Sequence, residues 1–170
     1  MTLGDFLSQK KQAILALWFD KILETYPPDT AKFLRSQKNQ FANPVGSTIL
    51  QGIEGVFDSL LEDGEPQKVA PFLDNIIRIR AVQDFTASQA VSFIFSLKAA
   101  VRDALGTDIA AQRLTEDLLL LERRIDDLAL VTFDIYMKCR EKIYDLKANE
   151  VRNMTFRLIE RINRMDAEEK

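Results

Sequence analysis

Glu122, Asp126 and Asp127 stand beside Arg123 and Arg124. Two carboxylates four positions apart on a helix are spaced as an acid and base pair, or the ligands of a hard cation, would be. The flanking arginines support a plainer reading, a solvated and salt-bridged helix face. Cys139 lies between Lys138 and Arg140, cations that would lower the pKa of a reactive thiol; the alternative is a small side chain packed on a helix face. Arg78, Arg80 and Asp84 form a third group, in which arginines at the end of one helix meet an acid just before the next. They would either tie an interhelix corner and neutralise free carbonyls, or hold an anion. Trp18, Phe33, Phe41, Phe57, Phe93 and Phe133 would line an apolar cavity for a small ligand or simply form the core. A void leaves no periodic mark, so pattern does not separate these two.

Catalytic chemistry has little else to draw on. The 170 residues include no histidine, which excludes Ser-His-Asp and Cys-His units, His-ligated haem, His-containing zinc sites and the Glu-x-x-His pairs of di-iron bundles. No Gly-x-Gly-x-x-Gly, phosphate loop or Gly-x-Ser-x-Gly elbow is present. A single cysteine cannot form an intrachain disulfide. The expectation is a non-enzymatic chain without cofactor or metal. Charge excludes another class: 23 basic and 26 acidic residues give a net charge of -3, nearly balanced along both halves, so no field attracts nucleic acid. No stretch approaches the roughly 20 apolar residues of a membrane span, and the N-terminus lacks a basic run followed by an apolar one. No membrane insertion and a cytoplasmic location are expected.

The elements that must position these residues are helical. Apolar residues at spacings of three and four predict an amphipathic helix over residues 3–25, with Thr2 and Asp5 as an N-cap signal and Pro27-Pro28 as its stop. A short helix follows over 30–35, then a polar loop over 36–40. Asn43-Pro44 reads as an N-cap with proline at the first helical position of a helix over 44–61. Gly52 and Gly55 lie on nearly the same face of that helix; either they are tolerated weak positions or another helix crosses there at close range. Residues 63–66 stop and restart the chain. The next helix spans 67–81, with Pro71 breaking or kinking its first turn. Thr86 and Gln89 form a capping box that opens a helix apolar nearly all round, stopped by Gly106.

Residues 107–170 contain neither glycine nor proline. An unbroken helix over 109–165 would be about 85 Å long at 1.5 Å per residue, against a radius of gyration of about 15 Å for a compact domain. It must project, C-terminal end outward. From Lys138 onward the apolar residues narrow to Tyr144, Val151, Leu158 and Met165 at seven-residue spacing, with Met154 and Ile162 beside them. This is a coiled-coil-like seam of about three heptads, and a lone helix of this kind is marginal in water. It would pair with a second copy, forming a homodimer, or fold back on its own domain, although nothing resembling a turn allows the return. No segment has the period of a strand. The fold class is all-α: a bundle of about six helices with a long C-terminal helix, divided into a domain over 1–143 and a helical extension over 144–170.

Three stretches carry a family resemblance: Arg35-Ser36-Gln37-Lys38-Asn39-Gln40-Phe41-Ala42-Asn43-Pro44-Val45-Gly46, Ile79-Arg80-Ala81-Val82-Gln83-Asp84-Phe85 and Phe133-Asp134-Ile135-Tyr136-Met137-Lys138-Cys139-Arg140-Glu141. They resemble the N-terminal sensory domain of RsbR-type proteins, more specifically the RsbRD group of RsbT co-antagonists, from about Ala13 to about Asn153. The resemblance implies a dimeric, globin-like sensory domain without haem, whose last helix leads into a signalling output module. The sequence ends at Lys170 with no STAS or kinase module, so by that resemblance it acts by binding a signalling protein partner or serves a different purpose. The reading of another class is a small-molecule carrier whose aromatic cavity takes a small apolar ligand.

Overall fold

The computed structural model describes residues 2–36, 39–62, 66–111 and 113–168, and every regular element among them is helical. Contacts divide the chain into a compact unit ending at Tyr136 and a second unit beginning at Met137.

The compact unit opens with α1 (Leu3–Gln9) on a capping box: Thr2 Oγ1 accepts the Asp5 amide at 3.2 Å, and the Asp5 carboxylate accepts the Thr2 amide at 2.8 Å. The single helix expected over 3–25 is in fact two, because α2 (Lys11–Leu23) starts after a break at Lys10, where ψ is 8°. No glycine or proline marks the break. The Lys10 ammonium reaches instead across the fold to the Ala104 carbonyl at 2.9 Å and to Asp108 at 2.7 Å.

Helix α3 (Pro28–Ser36) begins two residues earlier than expected, on the second of the paired prolines. Of the loop that follows, residues 37 and 38 lie outside the described residues. Helix α4 (Pro44–Leu61) keeps its expected bounds: Asn43 Oδ1 accepts the Gly46 amide at 2.9 Å, and its Nδ2 donates to the Leu34 carbonyl at 2.9 Å. The stop expected over 63–66 has residues 63–65 outside the described residues. Helix α5 (Pro66–Val82) continues through Pro71 without ending there. It crosses α4 at the two glycines. A Cβ on Gly52 would lie 2.6 Å from the Ile76 side chain and 3.2 Å from the Phe72 carbonyl oxygen, and one on Gly55 would fall inside the Phe72 ring's envelope. Close crossing is therefore the reading that holds.

Beyond the Thr86–Gln89 capping box the expected single helix is again two, α6 (Ala87–Val91) and α7 (Phe93–Leu105), with Gly106 at φ 51° capping α7. Helix α7 is not buried all round: Phe95 is 48% exposed, below the Lys98 ammonium. The long terminal helix starts later than expected. A short α8 (Asp108–Ala111) precedes it, Arg113 turns at φ 56°, and α9 runs from Thr115 to Glu168.

The core lies where α2 meets α4 and α7, with Ile14, Trp18, Ile22, Ile49, Ile53 and Ile94 at 0–1% exposure. Trp18 stacks on Phe93 with ring centroids 6.5 Å apart and donates its indole N–H to the Phe93 carbonyl at 2.7 Å. Burying such side chains contributes about 1.5–3 kcal/mol each. Within this unit α9 presents Leu118, Leu121, Ile125, Leu128, Thr132 and Tyr136 to the interior, at spacings of three and four. The second unit is the remainder of α9.

Candidate functional site

Arg80, near the end of α5, has no exposed surface. Its Nε donates to the Ala90 carbonyl at 3.0 Å, and its Nη2 donates to the Gln89 carbonyl at 2.8 Å and to Thr25 Oγ1 at 3.2 Å. The guanidinium lies 4.2 Å from the Phe85 ring centroid, 5.5 Å from that of Tyr26 and 5.7 Å from that of Phe93. Cation–π contacts of this kind are worth about 2 kcal/mol when desolvated. Nη1 is buried and, among the described residues, makes no hydrogen bond of ordinary geometry, although the Tyr26 hydroxyl interacts with the guanidinium. Burial pulls the guanidinium below its ordinary pKa, and the neighbouring Tyr26 opposes this.

The guanidinium also explains the break between α6 and α7. In an unbroken helix the Gln89 and Ala90 carbonyls would accept the amides of Phe93 and Ile94. Arg80 takes both carbonyls, and Ser92 Oγ adds a further bond to that of Gln89 at 3.0 Å. The corner is thus tied by carbonyls, as the structural reading of Arg78, Arg80 and Asp84 has it, but not through the acid. Asp84 is exposed, neither arginine pairs with it among the described residues, and Arg78 points elsewhere, to Asp74 at 2.6 Å.

Tyr26 belongs to the same corner, its hydroxyl donating to Gln83 Oε1 at 3.0 Å. Burial raises its phenol above the ordinary value of 10.0, more than the Arg80 charge lowers it. The proton is therefore held more tightly in the folded state. The stabilisation is fully present below pH 10 and is lost as the pH climbs through the raised value. In an alkaline titration followed at the phenolate absorbance, one of the three tyrosines should ionise late, and Tyr26→Phe should remove that late step. A wild-type protein whose tyrosines all ionise together at the ordinary value would contradict this.

A cleft of about 480 Å³ adjoins the corner, walled by Thr25, Tyr26, Pro27, Thr30, Gln83, Asp84, Phe85 and Gln89. A smaller one of about 220 Å³ shares Tyr26, Thr30 and Gln83 with it and adds Phe33, Leu34, Asn43, Pro44 and Val45. The six aromatic residues read as cavity candidates do not converge. Trp18, Phe57 and Phe93 are core side chains at 0–2% exposure, whereas Phe33, Phe41 and Phe133 are 48%, 95% and 45% exposed. Of the six, Phe33 lines the smaller cleft.

The acidic group on α9 is largely engaged in ion pairs to α7. Arg102 makes a two-pronged pair with Glu122 at 2.5 and 2.9 Å, and Lys98 meets Asp126 at 2.6 Å. Asp127 lines a third cleft, between the start of α9 and the α1 and α4 helices. Among the described residues no cluster of histidine, cysteine, aspartate or glutamate could hold a metal ion. Cys139 is half-buried on α9.

Along the second unit, Tyr144, Val151, Met154, Leu158, Ile162 and Met165 are all 57–63% exposed. Ala148 and Thr155 complete their spacing: positions 144, 148, 151, 155, 158, 162 and 165 follow a regular alternation of four and three, the spacing of a coiled-coil seam. Ile159 borders this stripe, and Leu146 and Phe156 lie off it. The two small or hydroxylated residues escaped the sequence reading because they carry no hydrophobic signal.

An all-α bundle with a buried arginine corner and a long terminal helix bearing an exposed apolar seam is what the chain builds. Residues 12–151 match the family described as RsbT co-antagonist protein rsbRD N-terminal domain, and the chain belongs to that family. The match takes in the Arg80 corner, Tyr144 and Val151; Met154, Leu158, Ile162 and Met165 lie beyond it. An uncharacterized protein of Archaeoglobus fulgidus is 25% identical over 143 residues, covering 82% of this chain and 83% of its own. No solved structure matches the chain. No helix among the described residues is long and apolar enough to cross a membrane.

Proposed function

We propose that this chain is a non-enzymatic, cytoplasmic regulatory domain that self-associates through its last helix and signals by protein contact. The observation that carries the reading is the row of six large apolar side chains from Tyr144 to Met165, each more than half exposed on a segment otherwise rich in charges of both signs. Leaving such a row in water forgoes about 25 cal/mol for each Å² of apolar surface that a partner helix would cover. The division into a sensory domain over residues 1–143 and a seam-bearing extension over 144–170 belongs to this reading. So does a globin-like, haem-free arrangement of the bundle, which family membership supports. A stiff helix suits such a role, because a small shift in packing at one end biases two discrete arrangements at the other.

Sedimentation of the full chain at micromolar concentration should give a dimer. Val151→Asp combined with Leu158→Asp should return it to a monomer with an unchanged thermal transition of the compact unit, since burying two carboxylates in a seam is prohibitive while leaving them in water is not. A wild-type monomer, or a doubly substituted chain that still dimerises, would remove the reading's support.

A further inference from the structure

We infer that the paired clefts over the Arg80 corner form a binding site for a small monocarboxylate with an apolar tail. This site is separate from the seam, and the inference does not rest on self-association.

Arg80 is a fully buried cation, and among the described residues no carboxylate is paired to it. Its charge is met by two carbonyls, one hydroxyl and three ring faces, with the Tyr26 hydroxyl interacting as well, and among the described residues Nη1 makes no hydrogen bond of ordinary geometry. Buried guanidinium groups ordinarily sit against an acid, because the desolvation of a lone ion costs several kcal/mol. Four of the residues that hold Arg80 also wall the larger cleft, behind which the guanidinium lies: Thr25 and Gln89 bond its Nη2, and Tyr26 and Phe85 cover its faces. An anion in that cleft would sit one side chain away from a buried positive charge that dipoles and ring faces solvate but no acid neutralises, in a medium of low dielectric where attraction is strong.

The rest of the lining narrows the ligand class. Asp84 also lines the cleft and would repel a second negative charge, so a monoanion fits better than a phosphate. The smaller cleft shares Tyr26, Thr30 and Gln83 with the larger and is otherwise walled by Phe33, Leu34, Pro44 and Val45 among others, surfaces that take a hydrocarbon. The Tyr26–Gln83 hydrogen bond stands at the junction. Its hydroxyl and amide are the groups that would turn toward a carboxylate held in the cleft, between it and the guanidinium behind. The larger volume, about 480 Å³, lies within the roughly 300–1,000 Å³ of small-molecule sites.

Octanoate and octanamide are the probes, matched in shape and differing in charge. Titrated into the full chain below micellar concentration and followed by heteronuclear NMR, octanoate should shift the resonances of Tyr26, Gln83 and Phe85, with at least tenfold tighter binding than octanamide. Gln83→Glu places a competing carboxylate beside the corner and should weaken octanoate at least tenfold, with the spectrum of the core unchanged. Val45→Trp, filling the smaller cleft, should weaken octanoate and octanamide alike. Equal binding of the two probes would reduce the site to an apolar groove and overturn the inference, as would shifts confined to other surfaces, no binding, or indifference to Gln83→Glu.

Discussion

Arg80→Ala should destabilise the compact unit by about 3–5 kcal/mol, the range found when one partner of a buried charged network is removed. Two effects oppose each other at this position. Deleting the guanidinium relieves a desolvated charge with no acid beside it, which is favourable. It also strips the Ala90 and Gln89 carbonyls of their donor, at about 1–3 kcal/mol for each buried group left unpaired, and opens a void among Phe85, Tyr26 and Phe93. The unpaired carbonyls and the void win, because the charge is already solvated by three hydrogen bonds and three ring faces.

The decisive comparison is a series. Arg80→Met restores most of the volume without the hydrogen bonds, so it should fall between wild type and Arg80→Ala. Arg80→Lys keeps the charge but lacks the planar fork that reaches two carbonyls at once, and should lose nearly as much as alanine. For a chain of this size a loss of 3–5 kcal/mol corresponds to a fall in Tm of about 6–20 °C. Urea unfolding of the four proteins would test the order. An Arg80→Met protein as stable as wild type would show that the void, not the carbonyls, carries the cost.

The same arginine shows where sequence pattern stops being informative. Local signals were legible because they act within three or four residues: the Thr86–Gln89 box, Asn43 before Pro44, and Gly106 after Leu105 all stand where the residue types place them. The breaks at Lys10 and Ser92 were not legible. At Ser92 the Arg80 guanidinium takes the Gln89 and Ala90 carbonyls; at Lys10 the flanking bonds from Lys10 N to Phe6 O and from Ile14 N to Lys10 O persist, and no residue type marks the turn. The run from Val91 to Leu97 reads as one continuous apolar helix until Arg80 occupies its hydrogen bonds. Exposure was equally hidden. Phe41, next to a polar loop, and Phe57, inside a helix, both read as core or cavity residues, yet one is 95% exposed and the other 2%. The seam was legible at its large residues, because a seven-residue spacing survives any tertiary context, and illegible at Ala148 and Thr155.

Gly52→Leu should cost about 3 kcal/mol or more and Gly52→Ala about 1–3, although alanine is the better helix former by about 1 kcal/mol. The reason is what the new Cβ meets. At Gly52 it would lie 2.6 Å from Ile76, a core side chain with no exposure, and 3.2 Å from the Phe72 carbonyl oxygen, so nothing nearby can yield without moving α5. At Gly55 the nearest obstruction is the Phe72 ring, and that residue is 36% exposed, so the ring can swing toward solvent. Gly55→Ala should therefore stay within about 1 kcal/mol of wild type, the gain in helix propensity offsetting the displaced ring. Denaturant midpoints for the two alanine variants, measured side by side, decide the matter. If Gly52→Ala proves as stable as Gly55→Ala, the crossing of α4 and α5 is looser than these distances require, and the glycines are tolerated weak positions after all.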